Sequence, residues 1–94
     1  DKQSIGAMTI NKPFTNHRIT LQKGDMLYVF SDGYADQKGG QDKKKFYYAP
    51  FRKLLCELYP LPLPDQRKQL KETIIKWMGD TEQYDDMLIF GVRI

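Results

Sequence analysis

Two short apolar runs constrain the fold of this chain more than any other feature. Met26–Phe30 is an uninterrupted series of apolar residues rich in β-formers, and Met87–Ile94 is a second, nearly continuous one far along the sequence. Runs of this length without polar alternation are typical of strands that are buried on both faces. We therefore predict two buried strands that belong to one sheet.

The segment between these runs has the periodicity of two helices. Apolar residues recur at helical spacing within Phe51–Leu58, and a second stripe of the same kind lies within Asp65–Met78. Pro60–Pro64 has three prolines in five positions, which predicts an extended linker between the helices. Gly79 is suited to cap the second helix.

Weaker signals complete the expected order of elements. Ile5–Ile10 has moderate strand character, and Ile19–Leu21 is expected to pair with Met26–Phe30 as a hairpin across a glycine turn. Gln37–Lys45 is polar and contains two adjacent glycines, so it should be a mobile loop. Strands, two helices and a final strand indicate an α+β fold, an antiparallel β-sheet with two helices on one face.

Acidic residues lie where the two apolar runs end and begin. Asp32 follows the first run, and Asp85 and Asp86 precede the second, so antiparallel pairing would bring them to one rim of the sheet. Carboxylates this close repel unless a cation lies between them, and Mg²⁺ or Mn²⁺ prefers such oxygen ligands. Gly33 would permit a close backbone approach, and Asp36 lies one helical turn after Asp32. An ordinary Asp-Gly turn and a solvated acidic loop remain open explanations of the same pattern.

The longer context of these residues resembles one protein family. The segment Gly24–Asp36 resembles the GD-x-L-x-x-x-[ST]-DG-x-x-[ED] motif of SpoIIE-like, PPM-type metal-dependent serine/threonine protein phosphatases. Gln83–Met87, leading into the last strand, is similar to the end of the same domain, and Ser4–Gly6 resembles its upstream x-IG strand. The resemblance implies that the sheet and its helices are part of an α-β-β-α sandwich.

The resemblance also implies roles for individual residues. Asp32 and Asp85 correspond to ligands of a pair of Mn²⁺ or Mg²⁺ ions. Asp36 corresponds to an acidic residue linked to an accessory metal site in some members. Asp86 and Gly33 are expected to lie beside the metal ligands and to help hold them in position. The reaction implied is the attack of metal-activated water on phosphoserine or phosphothreonine.

One part of the family pattern is absent from these 94 residues. Nothing in Asp1–Arg18 matches the acidic motif that supplies the remaining metal ligands in the family. We therefore expect residues 1–94 to form a single partial domain, the C-terminal part of a phosphatase domain, without useful activity on its own. Such a piece should expose sheet edges or an apolar face, and so should self-associate or pack against a partner.

Composition limits the partners of the chain. The net charge is only +3, with much of the excess in Lys43–Lys45, which does not favour a nucleic-acid binder. A single cysteine, Cys56, expected to be buried, and no long apolar run favour a cytoplasmic segment outside the membrane.

The family context implies bacterial signalling. The resemblance implies a phosphoprotein substrate, with the anti-sigma-factor antagonists as one candidate class, and a sensor domain is expected upstream. Two alternatives stay open at this point. A pseudo-phosphatase or protein-binding module would keep the fold without the chemistry. A receiver-like phosphoacceptor domain is disfavoured, because the predicted elements do not alternate regularly.

Overall fold

The computed structural model describes residues 5–9 and 21–94. The elements follow in the order β1 (Ile5–Thr9), β2 (Met26–Phe30), α1 (Gly33–Asp36), β3 (Lys38–Gly39), β4 (Lys44–Lys45), α2 (Tyr48–Leu58), α3 (Leu63–Met78) and β5 (Ile89–Arg93). The α+β prediction is confirmed, with two long helices between the strands. The hairpin partner expected at Ile19–Leu21 lies largely outside the described residues, as does Ser4 of the upstream motif.

Among the described residues, three strands form the main sheet, in the order β1-β2-β5. The two apolar runs are neighbours, and β2 pairs antiparallel with β5 so that Phe30 lies opposite Ile89. This is the pairing that the sequence predicts. A feature that the sequence does not indicate is that β1 pairs with β2 in parallel, with Ile5 opposite Met26.

The core lies between the main sheet and the two long helices. Met26, Tyr28 and Phe30 alternate along β2 and are buried on one face, where they meet Phe51 of α2 and Leu70 of α3. Alternation of this kind places every second residue of a strand on the same side. The remaining members of the buried cluster are Ile5, Tyr34, Ala35, Leu55, Leu58 and Ile74.

The opposite face of the sheet is apolar and open. Phe90 and Val92 of β5 are 58% and 51% exposed, and their neighbours Leu27 and Val29 on β2 are only half-buried. The expectation that β5 is buried on both faces is therefore wrong for the described residues. One face of the sheet therefore exposes apolar side chains among the described residues.

The helices are longer than the sequence predicts. The first begins at Tyr48, before the apolar stripe, and the second begins at Leu63, with Pro62 as its N-cap residue and Pro64 in its first turn. Proline is compatible with a first helical turn because its missing N–H has no intrahelical partner there. Cys56 is exposed on α2, so the expectation that it packs inside is wrong.

The polar segment after Asp36 is ordered as a small hairpin and is not a mobile loop. Lys38–Gly39 pairs with Lys44–Lys45. The ring of Trp77 on α3 lies against this hairpin; its Nε1–H donates to the Gln37 carbonyl at 3.0 Å, and the Gly40 N–H donates to the Trp77 carbonyl at 3.1 Å. A Cβ on Gly39 would come within 2.1 Å of that same carbonyl oxygen, so the contact requires glycine.

A buried polar network holds the linker between the long helices. Gln66, only 2% exposed, accepts a hydrogen bond from the Tyr28 hydroxyl and donates to the carbonyls of Tyr59 and Leu61. Arg93 of β5 donates to the same two carbonyls. Burial raises the pKa of Tyr28 to about 12, although the Arg93 charge opposes the shift. In the described part of the chain, no helix combines the length and apolarity that crossing a membrane requires.

Candidate functional site

The antiparallel pairing of β2 with β5 brings the two acidic segments to one rim of the sheet. The Ser31 N–H, just past β2, donates to the Leu88 carbonyl at 2.9 Å. The Ser31 hydroxyl accepts from the Leu88 N–H at 3.0 Å and donates to the Asp86 carbonyl at 2.8 Å. One short side chain thus joins the segment that leads into Asp32 to the segment that contains Asp85.

Gly33 makes this approach possible. A Cβ at this position would lie 2.1 Å from the Asp86 carbonyl oxygen and 2.8 Å from its carbon, far inside any real contact. The backbone that follows Asp32 therefore rests directly on the backbone that follows Asp85. We predict from the sequence that Gly33 permits a close approach, and the partner in that approach is the main chain of Asp86.

Asp32 and Asp36 are held on one side of a single helical turn. The Asp36 N–H donates to the Asp32 carbonyl at 2.9 Å, which is the i to i+4 geometry expected from their spacing. The Asp32 side chain is partly buried at this turn, whereas Asp36 is exposed. Lys45 of the hairpin places its ammonium 3.6 Å from an Asp36 carboxylate oxygen, with about half of each side chain exposed. A pair this exposed contributes little to stability, about 0–1 kcal/mol.

Asp85 and Asp86 are both exposed in the loop before β5. One Asp85 carboxylate oxygen accepts the Asp86 N–H at 2.8 Å, which restricts the orientation of that carboxylate. The Asp86 main chain provides the carbonyl that meets Ser31 and Gly33.

The donor chemistry at this rim fits a hard divalent cation in part. Carboxylate oxygens of Asp32 and Asp85 are the ligand type that Mg²⁺ and Mn²⁺ prefer. Within residues 5–9 and 21–94, however, no cluster of three or more His, Cys, Asp or Glu residues is arranged to hold a metal ion. The described residues therefore fit as part of a ligand set and leave the other ligands to come from elsewhere.

A cleft of about 460 Å³ opens beside Asp32. Tyr47 and Tyr48, at the start of α2, form an aromatic wall, and Tyr48 stacks on Phe30 with ring centroids 6.0 Å apart. Asp32, Asp36 and Lys45 line the cleft as well. The sequence leaves two roles open for Tyr47 and Tyr48, a place around the site or packing, because no local pattern reports that the hairpin turns them toward the end of β2.

Comparison with known proteins identifies a family whose model matches this chain. The family model described as "Stage II sporulation protein E (SpoIIE)" matches residues 3–94. Among solved structures, the chain is similar to the "SiaA-PP2C domain of Pseudomonas aeruginosa", with 30% sequence identity and a TM-score of 0.77. The match covers 81% of this chain but 31% of that one, so the chain spans about a third of the solved domain. No curated protein matches the chain.

Proposed function

The chain belongs to the SpoIIE family, and from that membership we propose that it is the C-terminal part of a domain that hydrolyses phosphoserine and phosphothreonine in proteins. The observation that carries the proposal is the closure of the sheet rim. Ser31 and Gly33 lock the segment after β2 onto the main chain of Asp86, which brings the Asp32 and Asp85 segments together. An ordinary turn or a solvated loop would not require these contacts of Ser31 and Gly33 with the Asp86 main chain.

Each acidic residue at the rim has a proposed part. Asp32 and Asp85 would hold a pair of Mn²⁺ or Mg²⁺ ions together with ligands from the rest of the domain. Bound metal would supply an activated water and balance the charge that develops on the phosphoryl group. The Asp86 main chain and Gly33 set the separation of the two ligand segments. Asp36 would serve an accessory metal, for which the Lys45 ammonium is the competing cation.

The proposal assigns only part of the site to this chain. Because the chain corresponds to 31% of the solved SiaA domain, we propose that residues 1–94 alone do not turn over substrate. The open sheet face around Phe90 and Val92 is where the remaining strands of a sandwich would pack. Without them this face would drive self-association. We further propose a bacterial, cytoplasmic signalling role under an upstream sensor domain, with an anti-sigma-factor antagonist as a substrate class.

A direct test compares acidic variants of the full-length protein. Asp32→Asn and Asp85→Asn should each reduce Mn²⁺-dependent hydrolysis of p-nitrophenyl phosphate by roughly 100-fold or more, because each removes a ligand charge from the metal site. Asp80→Asn, which alters an exposed carboxylate after α3, is the matched control and should hydrolyse it at the wild-type rate.

Calorimetric titration with Mn²⁺ should show weaker metal binding for Asp32→Asn and Asp85→Asn than for the wild type, and unchanged binding for Asp80→Asn. Wild-type activity in both Asp32→Asn and Asp85→Asn would sink the proposal. A wild-type protein that binds a phosphopeptide without hydrolysing it would instead favour a pseudo-phosphatase or binding module.

A further inference from the structure

Tyr47 has a backbone conformation that is normally reserved for glycine. Its φ is 75° and its ψ is 156°, and its side chain is 55% exposed. In this region of φ and ψ the Cβ of any other residue meets neighbouring backbone, so a bulky residue persists there only where the surroundings impose it. Strain of this kind concentrates at binding and catalytic sites.

Two hydrogen bonds and two ring contacts hold the strained backbone in place. The Tyr47 N–H donates to the Ala35 carbonyl at 2.7 Å, and the preceding Phe46 N–H donates to the Gln37 carbonyl at 2.8 Å. The Phe46 ring packs edge-on against Tyr34 and Trp77, at centroid distances of 5.5 Å and 5.8 Å. The position of Tyr47 is therefore coupled to α1, the helical turn that Asp32 begins.

These contacts aim the Tyr47 side chain at the cleft beside Asp32. The cleft has an acidic wall of Asp32 and Asp36 and an aromatic wall of Tyr47 and Tyr48. Tyr48 is braced by Phe30, but Tyr47 has no ring contact among those found in the described residues. An exposed aromatic ring on a fixed backbone beside a charged site offers a large apolar contact and has few rotatable bonds to immobilise.

We propose that Tyr47 determines specificity by contacting an apolar residue that flanks the phosphorylated residue of a protein substrate. The inference rests on the proposed phosphatase function and names the part of the substrate that the cleft recognises. With the phosphoryl group at Asp32 and its metal partners, the polypeptide next to it would run along the aromatic wall. An apolar flanking residue suits this aromatic wall. An acidic flanking residue would need a free cation, and Lys45, the basic residue that lines the cleft, already faces the Asp36 carboxylate.

The test exploits the backbone strain. Tyr47→Gly removes the ring and suits the conformation, so its melting temperature should not fall below that of the wild type. Tyr47→Phe keeps the ring. Lys43→Gly is the matched control, because Lys43 is the other described non-glycine residue with positive φ, at 53°, and does not line the cleft.

The measurement uses the full-length protein with Mn²⁺ and two probes, a phosphoserine peptide library with random flanks and p-nitrophenyl phosphate. For Tyr47→Gly, the ratio of kcat/KM for the library to kcat/KM for the small ester should fall by about tenfold or more, as for the loss of one buried aromatic contact. The preference for apolar flanks among the hydrolysed peptides should vanish. Tyr47→Phe and Lys43→Gly should retain both the ratio and the preference.

An unchanged ratio and preference in Tyr47→Gly would overturn the inference and leave the phosphatase function intact. A fall in the melting temperature of Tyr47→Gly with no change in preference would assign the ring a purely structural role, which also overturns it. Failure of the wild-type protein to hydrolyse p-nitrophenyl phosphate would instead remove the proposed function, and this inference with it.

Discussion

The close contact at Gly33 gives the sharpest prediction about the site. In Gly33→Ala the new methyl group would begin 2.1 Å from the Asp86 carbonyl oxygen, and the gap must open to at least 3.0 Å. Because both partners are backbone, no side-chain rotation can relieve the clash. We expect the two segments to separate and the free energy of unfolding to fall by about 1–3 kcal/mol, as in overpacked cores. The separation moves the Asp32 segment away from the Asp85 segment.

The expected cost to activity is larger than the cost to stability. A misplacement of about 1 Å in a catalytic constellation can lower a rate roughly 100-fold. The assay measures urea unfolding of the full-length protein and its Mn²⁺-dependent hydrolysis of p-nitrophenyl phosphate. We expect Gly33→Ala to lose about two orders of magnitude in rate while most of the protein remains folded.

Gly39→Ala is the matched control for this substitution. Its methyl group would also begin 2.1 Å from a backbone oxygen, but that oxygen belongs to Trp77 and not to the contact between the Asp32 and Asp85 segments. Gly39→Ala should lose a similar free energy of unfolding, but its rate of p-nitrophenyl phosphate hydrolysis should stay within a few-fold of the wild-type rate. Equal rate losses in the two variants, or a wild-type rate in Gly33→Ala, would refute the argument that this contact sets the ligand spacing.

Two further predictions concern association and pH. Phe90→Lys places a charge on the open sheet face, so the average mass of the isolated chain in light scattering should fall toward that of a monomer; a wild-type chain that is already monomeric at every concentration contradicts this. Burial raises the pKa of both Tyr28, to about 12, and Tyr34, so the folded state favours their neutral forms. The free energy of unfolding should therefore keep its full value below about pH 10 and decrease as the pH rises toward 12. Urea unfolding at successive pH values should show this decrease, and the decrease should be shallower in Tyr28→Phe. Equal slopes of unfolding free energy against pH in the two proteins would contradict the assignment of the decrease to Tyr28.

Much of the framework follows from local patterns in the sequence. The uninterrupted apolar run before Asp32 predicts β2, and helical spacing predicts α2 and α3 with small errors in their starting points. The error at Leu63 arises because Pro64 lies in the first turn of α3, where proline is tolerated, and not in an extended linker. The antiparallel pairing that joins the acidic segments also follows, because both carry their acids at the ends that such pairing brings together.

Other features could not be predicted because they depend on contacts between distant residues. The polar stretch after Asp36 has the composition of a loop, and contacts with distant residues, among them the ring and carbonyl of Trp77 about 40 positions away, order it as a hairpin. Similarly, β5 has the composition of a buried strand, yet one of its faces is open. Composition reports how apolar a strand is, but the layers packed against it decide how much of it is buried.

The sequence by itself determined the two apolar strands, the two long helices and where the acidic residues fall along the chain. Periodicity and turn chemistry act over a few neighbouring residues, and these can be recognised from the order of the residues alone. The tertiary structure alone decided that the Asp86 carbonyl rests on Gly33 and that Tyr47 takes a glycine conformation beside Asp32. Both depend on how separate elements pack at distances of a few ångströms, and such fits result from the whole core rather than from any one segment.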